Sequence, residues 1–284
     1  MFKLITWNIQ SARSPAGGAD LDRIIACLDR FSDFDVLCVQ EVASGFAARD
    51  GSESGDQFAG LARRLPGYAA VEGVFTDTLH ADGGRRRLGC MIFSRHPVLQ
   101  VFRHSLPWPP DPEMMSMPRG VLEATVQAPS GLLRVMTTHL EHLSERQRMA
   151  QVEHVRELHR EAWAHAACPR PGPPGAGAFA ALPRAAPAIL AGDFNMLPHS
   201  LEYLRMLASF ADGTLAWRDA WQIAHPGRRH APTVGLHSDA PASGLPFTFD
   251  YIFISADLAA RVRQLRVDGS EEGSDHQAML LELD

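Results

Sequence analysis

Lysine is almost missing from this chain of 284 residues: Lys3 stands alone, and arginine supplies every other fixed cation. Long apolar runs are missing too. None reaches the roughly eighteen residues that a membrane-spanning helix requires, so no such helix is predicted. Cysteine is scarce, and Cys27, Cys38, Cys90 and Cys168 are scattered without any C-x-x-C spacing. That pattern argues against structural zinc and against a disulfide framework, and fits a reducing compartment. The opening "MFKLITWNIQ" lacks the basic start, apolar stretch and small-residue cleavage site of a secretory leader. It alternates like a strand instead, and the expectation is a cytoplasmic protein. An excess of positive charge is also absent. The formal net charge of −6 argues against tight non-specific binding of polyanions, while leaving room for a local basic groove. Arginine can grip phosphate through two donors, but the same bias fills the chain with Ala, Gly and Pro, and bias is the simpler reading.

What is present suits a large core. Hydrophobic residues make up 45% of the chain and charged ones 21%, enough for one domain over 1–284. Strand-like runs are predicted at 2–9, 35–40, 68–74, 88–94, 98–103, 120–128, 131–140, 187–192, 247–254, 262–267 and 277–283. Helical spacing predicts helices at 19–32, 56–65, 144–165 and 199–208, with Leu21, Ile24, Ile25 and Leu28 making one apolar stripe. The short links at 88–103 and 120–140 predict antiparallel neighbours. The sum is an α/β domain with mixed sheets and helices on the outer faces. The Pro/Gly/Ala-rich stretch 168–187 reads as a flexible surface loop, and 106–120 and 230–246 as two further long loops.

The strand ends share a habit. "AILAGDFN" runs from a buried strand straight into Asp193 and Asn195, which at period two point the same way. Alone, that is equally ordinary turn chemistry. The first strand delivers Asn8, the second Glu41, and "THLEHL" delivers His139 with Glu141 and His142 just beyond. Asp275 and His276 precede the last strand, and Asp250 lies inside "FTFDYIFIS". A carboxylate between Phe249 and Tyr251 must find partners or bear a desolvation cost of several kcal/mol. Asp193 and Asp275 would repel each other without a cation. The donors are oxygens and histidines without thiols, a set that favours Mg²⁺ or Mn²⁺ over zinc.

"TWNIQ", "VQE", "THL", "GDFN", "FDYIF" and "SDH", in that order from Asn8 to His276, resemble the signature of the endonuclease/exonuclease/phosphatase (DNase I-like) superfamily. The resemblance implies a four-layer α/β/β/α sandwich, two mixed sheets face to face with helices outside and the site at one edge. It implies that Glu41, with Asn8 beside it and Asp275 contributing, holds Mg²⁺ or Mn²⁺. It implies that Asp193 orients and deprotonates the attacking water and Asn195 holds that water or a phosphate oxygen. His276, kept oriented and protonated by Asp250, would stabilise the charged phosphorane, and His139 would donate to a non-bridging oxygen. Arg119 is placed as a phosphate contact. Thr248 departs from the pattern, since many members carry arginine two residues before the strand aspartate.

The resemblance implies a metal-dependent phosphoesterase, most readily a phosphodiesterase, acting on a nucleic acid, a nucleotide or a phospholipid head group; a monomer is expected. "GGRRRLG" (83–89) and "GRRHAP" (227–232) are candidate basic loops for a nuclease. Trp108, Met114, Met115 and Met117 are candidates for lipid contact. A catalytically silent binding module would be expected to have lost one of Glu41, Asp193, Asn195, Asp250, Asp275 or His276, and none is lost.

Overall fold

The computed structural model describes residues 1–13, 18–46, 55–168, 177–179, 184–237, 245–270 and 272–284. One sheet is built from β1 (Phe2–Asn8), β2 (Val36–Ser44), β3 (Ala69–Leu79), β4 (Arg85–Ser94), β11 (Val262–Val267) and β12 (Met279–Leu283), in the order β11-β12-β1-β2-β4-β3. The other contains β5 (Val98–Ser105), β6 (Gly120–Ala128), β7 (Gly131–His139), β8 (Ala188–Asp193), β9 (Trp217–Asp219) and β10 (Asp250–Ser255), in the order β5-β6-β7-β8-β10-β9. Each sheet is mixed: β1 with β2 and β7 with β8 are parallel, and their other neighbours are antiparallel.

Period-two alternation sorts the strands' side chains into three cores. Leu4, Val36, Cys38, Val135, Ile189, Ala191 and Ile252 meet between the sheets. Ile5, Trp7, Leu37 and Val39 face the other way, onto α1 (Leu21–Phe31) and α2 (Gln57–Arg64) through Ile24, Leu28, Phe58 and Leu61. Met136, Leu190 and Phe253 likewise meet α3 (Glu145–Ala167) and α4 (Leu201–Leu207) through Val152, Val155 and Tyr203. The result is the expected four layers. Each of these helices begins on a side-chain cap, from Asp20, Asp56, Ser144 and Ser200, which satisfies a backbone donor that the helix leaves open. No described helix is long and apolar enough to cross a membrane.

The inter-sheet face changes character along its length. Phe2 and Leu4 give way to Thr6 and Asn8, Val36 and Cys38 to Gln40, Leu133 and Val135 to Thr137 and His139. On β8, Ile189 and Ala191 give way to Asp193, and on β10 the run from Ile254 and Ile252 ends at Asp250. The polar ends coincide because Asn8 pairs with Gln40, and Asp193 with both His139 and Asp250. Gln40 stitches the sheets together beneath this end, its Nε2 donating to Thr6 Oγ1 at 3.1 Å and Thr137 Oγ1 at 2.8 Å.

Several boundaries differ from expectation. β2 runs on to Ser44, β3 to Leu79, and β4 starts at Arg85, so the three arginines of 83–89 belong to a strand. Strand β9 and helix α5 (Ala220–Ala224) are too short for periodicity to reveal. Of the stretch 168–187, residues 169–176 and 180–183 lie outside the described residues, as do 238–244 of the loop 230–246.

Gly192 makes the turn into Asp193 possible. Its φ is 146°, and a Cβ there would meet the Thr138 carbonyl oxygen at 2.1 Å, so only glycine fits between β7 and β8. Gly192→Ala is therefore expected to lower the melting temperature by roughly 5 °C or more. A melting curve as high as the native one would contradict this placement.

Candidate active site

The topology brings the polar strand ends to one edge. Asn8, His139 and Asp193 close β1, β7 and β8 at their C-terminal ends, and Glu41 lies in the C-terminal half of β2. Since β10 and β12 run antiparallel to β8 and β1, their N-terminal ends reach the same edge with Asp250 and, just ahead of β12, Asp275 and His276. Two of these side chains are aimed by unusual backbone. Glu41 sits in a break of the β2–β4 register at φ 57°, and Asn195 has φ 49°. Left-handed backbone costs a non-glycine residue about 1 kcal/mol or more and gathers at functional sites.

Hydrogen bonds fix the cluster. Asn8 Nδ2 donates to Glu41 Oε1 and to Asp193 Oδ2, both at 3.0 Å, while its Oδ1 accepts from the Gln10 amide at 3.0 Å. Asn8 is fully buried with both amide atoms engaged, which places it between the two carboxylates as their brace. Asp193 Oδ1 accepts from Asn195 N at 2.9 Å. The Asn195 side chain donates to Leu140 O and accepts from His142 Nδ1, both at 2.9 Å. His276 Nδ1 donates to Asp250 Oδ2 at 2.8 Å, and the same oxygen accepts from Thr233 Oγ1 at 2.7 Å. His276 Nε2 lies 3.7 Å from Asp193 Oδ2, and His139 Nε2 lies 3.4 Å from it. Gln10 Nε2 donates to Asp275 Oδ2 at 2.6 Å.

Burial and charge set the protonation states. Burial pushes the Asp193 carboxyl up to about 7; the His276 charge opposes the rise and the Asp250 charge adds to it. Burial works against a charge on His276 too, but the carboxylates of Asp250 and Asp193 outweigh it and raise the imidazole to about 10. His139, desolvated and facing the Arg119 charge, is held well below the ordinary histidine range and is neutral.

Asp193, Asn195, His139, His142, His276, Glu41, Asp275 and Arg119 all line one cavity of about 630 Å³. One ligand-capable atom each from Asp193, Asp250 and His276 lie within 4.8 Å of one another. That trio does not suit a cation, because an imidazolium has no lone pair to give and its Nδ1 is already committed to Asp250. The carboxylates Glu41 and Asp275, with Asp193 behind them, are the donors that fit a hard divalent ion, and no thiol lines the described cavity. All nine residues singled out from sequence thus meet at this edge, Asn8 and Asp250 beneath the cavity wall. Gln10, Gln40 and Ser274, whose Oγ donates to Asn8 O at 2.7 Å, lie inside or beside the quoted motifs but were not singled out, and His142 was named only as following His139. Thr233 carried no signal. Thr248, standing where the pattern has arginine, donates to Ala231 O at 2.9 Å and so ties the loop carrying Thr233 to β10. The basic stretch 83–89 is not an open groove: Arg85 pairs with Asp77 and Arg87 with Asp56, both at 2.8 Å.

A four-layer sandwich whose sheet edge gathers buried acids, an imidazolium and braced amides is the framework of a DNase I-like protein. The chain belongs to the Endonuclease/Exonuclease/phosphatase family, whose model matches residues 5–276. An endonuclease/exonuclease/phosphatase from Beutenbergia cavernae DSM 12333 is 24% identical, over 99% of this chain and 71% of that one, with a TM-score of 0.68. The mannosyl-6-phosphatase of Bacteroides thetaiotaomicron VPI-5482 is 16% identical over 100% of both chains, at 0.64. A 3′ phosphatase from Neisseria, bound to product DNA hairpin, is 20% identical over 100% of both, at 0.63. At these identities the likeness is one of fold. No curated protein matches the chain in sequence.

Asp193 gives the site a stability signature in metal-free buffer. Its raised carboxyl favours the folded state below the unfolded value of 3.8, and that advantage is lost as pH rises through about 7. Asp193→Asn does not titrate. Whatever constant offset its altered bonding adds, its stability relative to the native protein should therefore rise between pH 5 and pH 8, by roughly 3 kcal/mol. Melting curves in EDTA at the two pH values measure this, and a pH-independent difference would contradict the buried, raised carboxyl.

Proposed function

We propose that the protein is a divalent-metal-dependent phosphoesterase that cleaves its substrate by in-line attack of water on phosphorus, with a phosphodiester as the expected substrate. The observation that carries this reading is the placement of Asp193: one oxygen is held by Asn8 and the other by the Asn195 amide, within 3.7 Å of an imidazolium. Asp193 takes the proton of the attacking water. His276, kept charged by Asp250, meets the negative charge that grows on the phosphate oxygens. Neutral His139 and Arg119 donate to non-bridging oxygens. Asn195 acts by fixing Asp193 through its backbone and by holding His142 at the cavity. Glu41 and Asp275 would hold Mg²⁺ or Mn²⁺, which when bound would neutralise charge on the phosphate and the leaving oxygen.

The pairing of Arg85 and Arg87 with acids, and the net charge of −6, favour a compact phosphoester over a long polyanion. A phosphomonoester is the second reading, because the fold neighbours named above include two phosphatases. The test is hydrolysis of bis-(p-nitrophenyl) phosphate beside p-nitrophenyl phosphate, with Mg²⁺, with Mn²⁺ and with EDTA. The expected result is metal-dependent diester cleavage that falls about 10²-fold or more in Asp193→Asn. Preference for the monoester would establish the second reading. Cleavage of neither ester under any metal would sink both.

A further inference from the structure

Arg119 is buried to 92% of its surface, yet no described residue accepts a hydrogen bond from its guanidinium (relative exposure 8%). A guanidinium carries five N–H donors, and buried donors are rarely left unused. The side chain lines the cavity beside His139 and His142. Its backbone is fixed on both sides: its carbonyl accepts from Leu106 N at 2.9 Å, and the Gly120 carbonyl accepts from Thr138 Oγ1 at 3.0 Å. Among the described residues, the acid within ion-pair distance of it is Glu141, whose Oε2 lies 3.5 Å from Arg119 Nε. Both atoms are buried, and neither has a hydrogen-bond partner.

Glu141 cannot swing closer. Its Oε1 accepts from Leu143 N at 3.0 Å, and its own N–H donates to Gln151 Oε1 at 2.8 Å. Its carbonyl and that of His142 both accept from Arg148 Nη1 at 3.0 Å, and Arg148 is in turn held by Glu202 at 3.1 Å. Helix α3 thus clamps the residues that follow β7 and fixes the carboxylate at a set distance behind the guanidinium. At that distance the charges attract, and a buried guanidinium without such a partner would be driven out towards water. The Nε side of Arg119 is turned to Glu141, which leaves the terminal nitrogens for a ligand in the cavity. A planar fork of that kind matches two oxygens of one phosphate group.

We propose that Glu141 is a positioning residue: by standing behind Arg119 it holds the guanidinium as a two-pronged clamp for the phosphate group of the substrate. The proposal rests on the phosphoester reading above for the identity of the ligand, and its test does not depend on turnover. Inorganic phosphate is the probe, and protection against thermal unfolding is the readout, in metal-free buffer and again with Mg²⁺. Glu141→Gln keeps the size of the side chain and an oxygen for Leu143 N but removes the charge. It is expected to weaken phosphate binding about tenfold, Arg119→Ala at least as much, and the double variant no more than Arg119→Ala alone. That non-additivity separates positioning from general support of the fold, which would weaken binding equally in both backgrounds. Should Glu141→Gln lose its cooperative melting transition, Glu141→Asp, which draws the charge back by one methylene, replaces it in the same cycle with the same expectation.

An additive double variant, or a single variant that binds phosphate as well as the native protein, overturns the proposal. So does a native protein that phosphate does not protect in either buffer. A native protein that binds phosphate with this coupling and hydrolyses neither nitrophenyl ester would sink the enzymatic reading and leave the clamp standing.

Discussion

The hydrogen bond between His276 and Asp250, 2.8 Å long and buried between two sheets, is the interaction on which the site depends. A buried carboxylate flanked by aromatic residues would be costly alone, by several kcal/mol. Paired with an imidazolium and with the Thr233 hydroxyl, it becomes a fixed negative charge, and that charge keeps His276 protonated. The imidazolium in turn tempers Asp193, which burial would otherwise push higher still. The loop at Thr233, the strand β10 and the segment before β12 are all held by this pair. Val234 also bridges to His276, and Gln277 N donates to Thr233 O at 2.7 Å.

The fold makes that arrangement tolerable by separating tasks along the strands. One end of the inter-sheet layer is apolar and supplies cohesion. The other is polar: its acids Asp193 and Asp250 are held by partners from across the layer or from adjacent loops, whereas Gln40 Oε1 and both amide atoms of Gln277 are buried without one. The bonds of Gln40 to Thr6 in its own sheet and to Thr137 in the other mark the transition. Left-handed backbone gathers at the polar end, at Glu41, at Asn195 and at the turn Gln10–Ala12, where hydrogen bonds to Asn8, Asp193 and Asp275 compensate for it; His199 is the one other non-glycine example among the described residues.

Much of this was legible in the sequence for a physical reason. A polar residue that closes an apolar run at period two sits at the end of a strand, so Asn8, His139 and Asp193 marked strand ends, while the layers and the single edge where those ends meet were implied by the family resemblance. Helix α1 was equally plain from its apolar stripe. What stayed hidden depends on contacts between distant segments. Thr233 is a threonine in a loop until the fold sets it against Asp250. Asn8 could be taken for a ligand until its two bonds to carboxylates show it bracing them. The arginines at 85–87 looked like an open basic loop because the acids that neutralise two of them, Asp56 and Asp77, come from other segments. Strand β9 and helix α5 are too short to carry a period.

The chemistry at this edge turns on Asp250 holding His276 as an imidazolium within the folded protein. This is tested most directly by ¹⁵N NMR of the imidazole nitrogens in metal-free protein, with the His276 signals assigned by their loss in His276→Gln. With its pKa raised to about 10, His276 should still show two protonated nitrogens at pH 8. In Asp250→Asn the ring should lose its second proton near the ordinary histidine value of about 6.5. A neutral His276 in the native protein at pH 8 would contradict the account.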